Sequence, residues 1–600
     1  MRGPVLNRTY LTKSIYGLTF WVVCLLAPPT LAQSVSFSVV GAGEQLTTDL
    51  KDASETHRLV LEGTSDPNML MAAAHADFTT LLGVLYKNAR YGPRINLRVN
   101  GRPLASYSPF STPSRITQID IAISAGPEFA FGRVAAGPLA SQTELPEGFS
   151  SGQAAKSTVV QDAALAAVEG WRDQGYAFAD VRTQTISADH RTARLNAELD
   201  IETGPILRFA QLTVSGSEGV RPDRIREIAG LPTGATYSPA AMKRAGARLR
   251  NTGAFSSVTL QHSESANSDG TLDVTAQLSD APLRRFGAGA EVESDKGLQF
   301  GAFWTHRNLL GGAENLRIDG KIEEVGGIQS GVDFSLSANF RRPGTFAPDI
   351  DLIARLALER DDGVSSLSNS FSAYLGLERQ IANDLTGELG IDFMLEERDL
   401  RPGRDAFRVL SFPSVIGLDT RDDLLNPADG ALARLELRPY LGGLDAGSGL
   451  RAFADLRGYH AISSNIILAG RLQFGSVAGS SISATPSDYL FLSGGSGTVR
   501  GQPYQNLGTS ASGSFTGGRS FLAASLEARL DVTDSISLVG FYDQGFVGPD
   551  SMPSAAGSSH SGYGLGARYL TAIGPIRLDV GLPAQGATGP KVYLGIGQAF

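Results

Sequence analysis

Two short segments in the last fifth of the sequence hold side chains able to act on one another. Residues 494 to 501 read Gly-Gly-Ser-Gly-Thr-Val-Arg-Gly, so Arg500 sits between Val499 and Gly501 in a glycine-flanked loop. Phe541, Asp543 and Gly545 follow at alternate positions of a later stretch. A planar guanidinium can fork onto a carboxylate and so fix both the position and the orientation of such a loop. A turn arginine and an unrelated aspartate explain either residue taken singly. The chemistry on offer is holding, with no bond made or broken.

Residues for covalent chemistry are sparse. There is no Gly-x-Ser-x-Gly elbow and no phosphate-cradling glycine-rich loop with lysine. His57, His75, His190, His262, His306, His460 and His560 are scattered without metal-ligand spacing. The single cysteine, Cys24, allows neither a disulfide framework nor a thiolate metal site. We expect no enzyme, no cofactor and no metal, although a hydrolase assembling its site from distant strands stays open. A net charge of -9 without a Lys/Arg cluster argues against a nucleic-acid partner.

The elements that would position Arg500 and Asp543 begin with a leader. Arg2, Arg8 and Lys13 precede an apolar run from Leu18 to Leu26 and then Pro28, Pro29, Thr30, Leu31 and Ala32, which reads as a secretory signal over residues 1–32 cleaved after Ala32. The run is too short for the roughly 20 residues that span a bilayer. No later run approaches a transmembrane helix, so membrane residence requires a closed barrel, in which every strand's backbone groups are satisfied. Seventy glycines favour a β-rich chain.

Up to about Pro282, strand-like and helix-like segments alternate in three cycles, over residues 33–128, 129–205 and 206–282. The third has a strand at Leu207 to Val214, helices at Arg221 to Ala229 and Pro239 to Arg250, then Gly253-Ala254-Phe255 and a strand pair. The second repeats its end, with a helix at Ser157 to Gln174, then Gly175-Tyr176 and two strands. A C-cap glycine before a buried aromatic explains one such junction, and two argue for a repeat. These residues resemble the POTRA domain, a βααββ module. In the first cycle the junction reads Asn88-Ala89-Arg90-Tyr91-Gly92-Pro93, with the aromatic ahead of the glycine.

From about Leu283 the texture changes to segments of about ten residues alternating apolar and polar between turn residues. Leu522, Ala524, Leu526, Ala528 and Leu530 share one face, and Ser525, Glu527 and Arg529 the other; Ile576, Leu578, Val580 and Leu582 oppose Arg577 and Asp579. The solvated side of an ordinary antiparallel sheet explains each segment alone. About 318 residues hold roughly 16 strands at about 20 residues per strand and connection. The fold class expected over residues 283–600 is an antiparallel transmembrane β-barrel of 16 strands. In the last strand Val592, Leu594, Ile596 and Phe600 share one face, and Tyr593, Gly595 and Gly597 the other.

Together these segments resemble the Omp85 family. Val499-Arg500-Gly501 matches the core of its lumenal loop, with Gln502 where an aromatic is usual and Tyr504 beyond. Phe541, Asp543 and Gly545 match the barrel-wall Phe-x-Asp-x-Gly motif that the loop engages, so the resemblance implies that Arg500 pairs with Asp543 in the lumen. Asp419 to Gly430 resembles the family's D-x-R-(D/N)-x-x-x-N-P-x-x-G hairpin. Tyr593, Gly595 and the terminal Phe600 resemble the β-signal for outer-membrane insertion. Three modules and the opening Arg284-Arg285-Phe286-Gly287-Ala288-Gly289 look most like the TamA branch. That likeness implies an outer-membrane factor of a Gram-negative cell with periplasmic modules, a TamB-like inner-membrane-anchored partner, and client outer-membrane β-barrel proteins such as autotransporters, or lipids, as cargo. A two-partner secretion pore and a BamA-like insertase are the alternatives within the fold; a passive porin is the alternative outside it.

Overall fold

The computed structural model describes residues 34–107, 112–293, 297–327, 331–363, 366–400, 403–511, 513–533, 535–571, 574–586 and 589–596. Ala32 with the leader before it, and Phe600, lie outside the described residues. One compact unit runs to Pro205 apart from residues 173–177, and a second takes those and the chain from Ile206 onward.

Three small mixed sheets occupy the front of the chain. In each, the last strand is central, parallel to the first and antiparallel to an intervening one, and the first sheet adds the short edge strand Arg102–Pro103 beside Arg94–Val99. The strands are Ser34–Val40, Arg94–Val99 and Gln118–Ser124 in the first, and Ala130–Gly137, Asp180–Asp189 and Arg194–Glu202 in the second. In the third they are Thr213–Ser215, Phe255–His262 and Val274–Asp280. The strand expected over 207–214 is broken, because Arg208–Phe209 turns aside to pair with Thr271–Leu272. The third sheet carries helices Pro222–Ala229 and Pro239–Asn251, both with proline in the first turn, the second N-capped by Ser238. The left-handed residue at the helix-to-strand junction is Gly175 at φ 100° and Gly253 at φ 68°, whereas the first module uses Ala89 at φ 58°. That substitution is why the first junction is hard to recognise in sequence.

Contrary to the sequence reading, one helix among the described residues, Pro67–Lys87, is by length and composition apolar enough to cross a membrane, with 21 residues and a mean hydropathy of 1.3 over an 18-residue stretch. It packs Leu70, Ala74, Leu81 and Leu85 into the core of the first module. Its Asp77 is fully buried and accepts the Ser54 hydroxyl at 2.6 Å and the Glu55 N–H at 2.8 Å, closing the start of the neighbouring helix Glu55–Leu61. A carboxylate on such contacts marks the helix as part of a module core.

Residues 284–596 close into one antiparallel barrel of 16 strands. Its eighth strand is interrupted at Phe412-Pro413, leaving Arg404–Ser411 and Ser414–Asp419 each paired to both neighbours. Proline lacks the N–H the ladder needs, which explains the break. Side-chain polarity is inverted relative to a soluble protein. Leu522, Leu526 and Leu530 face outward and are exposed, as are Ile576, Leu578, Val580 and Leu582, while Ser525, Glu527, Arg529 and Asp579 are buried in the lumen. Charge inside and an apolar belt outside is the pattern that hydrocarbon selects and water does not. The alternating segments are therefore not the solvated sheet that each alone would allow.

The first strand, Arg284–Glu293, pairs with its successor Gly297–His306 over ten residue pairs. Against the last strand, Lys591–Ile596, it pairs only at Val292–Leu594 and Glu293–Tyr593 among the described residues.

Candidate functional site: the lumenal loop

The connection between strands Ile466–Ala478 and Ser520–Thr533 folds back into the lumen and is held on two legs. On the first, the Ser487 N–H donates to Glu396 at 3.0 Å, and Tyr489 and Phe491 join an apolar cluster with Tyr440, Phe521 and Val547. Phe491 stacks on Phe521 at 5.6 Å between ring centres.

The second leg carries Val499, Arg500 and Gly501, all buried. Arg500 Nε and Nη2 donate to the two oxygens of Asp543 at 2.8 and 2.9 Å, and its backbone N–H adds a third bond at 3.0 Å. The guanidinium lies 3.7 Å above the centre of the Phe541 ring. Its remaining nitrogen reaches Glu527 at 2.6 Å and Asp579 at 3.3 Å. Arg529 binds the other Glu527 oxygen at 3.2 Å, and Arg568 pairs with Asp579. Three cations, Arg500, Arg529 and Arg568, thus face three carboxylates, Glu527, Asp543 and Asp579, all buried. Burial of so many charges is tolerable only because the set is neutral and each charge is paired with an opposite one.

Glycine is needed where the loop meets the wall. Gly501 has φ +89°, and a Cβ there would lie 2.5 Å from the Leu582 carbonyl carbon. Gly545 faces Val499, whose Cγ2 would lie 2.8 Å from an added Cβ. The Gly501 N–H donates to the Tyr593 hydroxyl at 2.9 Å, so the last strand contributes its aromatic to the lumen and holds the loop. Gln502 is buried, and its amide donates to the carbonyls of Ser561 at 2.8 Å and Gln585 at 3.0 Å. Tyr504 does not take its place and stays half-buried. Gly595 leaves room beside the first strand, where Arg577 and Glu291 approach to 3.6 Å.

Arg500, Asp543, Phe541, Gly545 and Tyr593 are therefore brought to one place. Sequence reasoning left out Glu527, Asp579 and Arg568 as partners. The available signal was a charged residue on the inward parity of each of three strands flanking the motif. The Asp419–Gly430 hairpin lies apart from Arg500's own contacts. Its Arg421 pairs with Asp419 at 2.7 Å, and Asp422 and Asp423 accept backbone N–H groups of the turn.

Comparison with known proteins places this architecture. Residues 308–600 match the Omp85 superfamily domain, and residues 207–279 match the POTRA family, described as surface antigen variable number repeat. Among solved structures the chain is similar to BamA from Haemophilus ducreyi lacking POTRA domains 1-3, with TM-score 0.60 and 16% identity over 78% of this chain and 99% of that one. CdiB from Acinetobacter baumannii aligns with TM-score 0.50 and 14% identity over 78% and 89% of the two chains. At such identities the likeness is one of fold, and the two family matches, a POTRA repeat followed by its barrel on one polypeptide, carry the assignment: the chain belongs to the Omp85 superfamily.

Proposed function

We propose that this protein is an outer-membrane assembly factor of the TamA kind, which inserts or secretes β-rich clients such as autotransporters and carries out no catalysis. The observation that carries this reading is the seam, where among the described residues the first and last strands share two residue pairs against ten on the first strand's other side. A strand edge with unpaired donors and acceptors recruits another strand, so a short seam is a place for a client to add. The Arg500 network keeps the lumenal loop fixed to the wall beside that seam while the seam itself changes. Residues 33–128, 129–205 and 206–282 act as periplasmic modules that receive an inner-membrane-anchored partner of the TamB type.

Cysteines at Val292 and Leu594, which face each other across the seam, test this. The chain's only native cysteine is Cys24, so the pair oxidises without competition. Client insertion in reconstituted vesicles should stop on oxidation and return on reduction. Unchanged insertion in the oxidised form would rule the seam out. Capture of a single inner-membrane-anchored partner by the segment from Ser34 to Pro282 supports the partner assignment, and capture of a dedicated secreted client instead moves it to a secretion pore.

A further inference from the structure

The third module is fastened to the barrel's near-side turns. Arg221 donates to the Leu310 carbonyl at 2.6 Å, Asn308 to the Gly219 carbonyl at 2.6 Å, and Arg224 to the Pro343 carbonyl at 2.6 Å. Between helix Pro239–Asn251 and the ends of barrel strands Asp333–Arg342, Ile350–Asp362 and Ser366–Ala382 this leaves a cleft of about 630 Å³. Lys243, Arg244 and Arg248 line its helix side, and Pro348 and Ile381 its barrel side.

The carboxylates of the cleft are already engaged. Asp351 and Glu378 are both held by Arg341, the first at 2.6 Å, and Asp349 is held by Arg379 at 2.7 Å. None of the three helix cations has a carboxylate within 4 Å among the described residues. Arg248 is half-buried, and its one hydrogen bond goes to the Ala229 carbonyl at 3.1 Å. Burial accordingly pushes its guanidinium below the usual value, and Asp349, beyond ion-pair distance, offsets this only in part. A half-buried cation short of a counter-charge, next to two exposed ones, makes room for an anion.

The wall beside the cleft says which anion. Ile381 and Leu377 point outward on the apolar belt, and Phe346, on the turn that also supplies Pro348, is 86% exposed. An exposed aromatic at the edge of such a belt belongs at the level of lipid headgroups. We propose that the cleft holds the phosphate of an anionic phospholipid, with Lys243 and Arg244 on the phosphodiester, Arg248 beneath it, and the acyl chains following Ile381 and Leu377 along the barrel. The site rests on the barrel lying in a bilayer but not on what the barrel transports.

The test uses the full chain in phosphatidylcholine nanodiscs doped with phosphatidylglycerol, counting retained lipid by native mass spectrometry. Phosphatidylglycerol should be retained selectively. K243A/R244A should lower its retention roughly 30-fold, because each basic side chain near a lipid surface is worth about a factor of five. Both positions are exposed on the helix, and Arg248→Lys, which keeps charge and length, should retain most binding. Inorganic phosphate at millimolar concentration should not displace the lipid, and diacylglycerol should not be retained. Equal retention of phosphatidylcholine, indifference to K243A/R244A in a correctly folded protein, or full displacement by free phosphate would each overturn the proposal.

Discussion

The backbone N–H of Gly501 donates to the hydroxyl of Tyr593 at 2.9 Å, tying the lumenal loop to the last strand of the barrel. Tyr593 is thus a lumenal holding residue, and its partner is a buried main-chain group. Tyr593→Phe removes the hydroxyl that accepts this bond. We expect a loss of about 1–3 kcal/mol in the urea stability of the folded barrel, as for any buried donor left unpaired. An unchanged midpoint would mean that the loop reseats elsewhere.

Arg500 and Asp543 are the centre of a neutral buried set, so the damage from a substitution depends on the charge it leaves behind. Asp543→Asn leaves three guanidinium groups facing two carboxylates and should cost about 3–5 kcal/mol. Arg500→Met paired with Asp543→Asn leaves two guanidinium groups facing two carboxylates, which restores neutrality, and should be milder than the sum of the singles. Protease cleavage within residues 479–519 reports loop release directly, and equal cleavage in wild type and Asp543→Asn would contradict this account.

Gln502 stands where the resemblance leads one to expect an aromatic, and its amide bridges the Ser561 and Gln585 carbonyls. Gln502→Tyr should therefore weaken the barrel. Both it and Gln502→Ala are expected to lose about 1–3 kcal/mol in the same urea titration. A stabilised Gln502→Tyr would show that the family residue fits this lumen after all.

The Asp419–Gly430 turn should be sensitive to acid. Backbone N–H groups of Asn426 and Leu425 hold the Asp423 carboxylate below its ordinary value. A pKa depressed by folding gives stabilisation that is complete above the unfolded value near 4 and fades as pH falls through the folded one. Amide protection at Leu425 and Asn426 should be flat from neutrality to about pH 4 and fall below it. In Asp423→Asn it should lose that dependence.

Much of this architecture is legible in the residues because period-two alternation is a local signal. Leu522 to Leu530 and Ile576 to Leu582 announce strands by themselves, and Arg500 with Asp543 are marked by short glycine-bearing motifs. What alternation cannot say is which face meets water, since Glu527 and Arg529 suit a wet surface and a charged lumen equally; only closure decides. Glu527, Asp579 and Arg568 stayed hidden for the same reason, because their meeting depends on the register of successive strands and on the loop folding back against them. The strand expected over 207–214 failed through a local event, the turning aside of Arg208 and Phe209 toward Thr271 and Leu272. Helix Pro67–Lys87 misleads in the opposite direction, since its apolar length is offset by a single buried carboxylate that composition averages away.

All the side-chain partners of Arg500 and Gly501 in the buried set lie downstream of the loop, at separations of 27 to 92 residues. The first strand, by contrast, is remote in the chain and contributes nothing to that set. Short loops close before long ones, because the entropy of bringing their ends together is smaller. The terminal third can therefore condense around Arg500 as a curved wall while the opening strand is still elsewhere, and the circle shuts as its last event. On that order a chronology of assembly is written into the succession of the residues, with the seam between Arg284–Glu293 and Lys591–Ile596 as its closing contact.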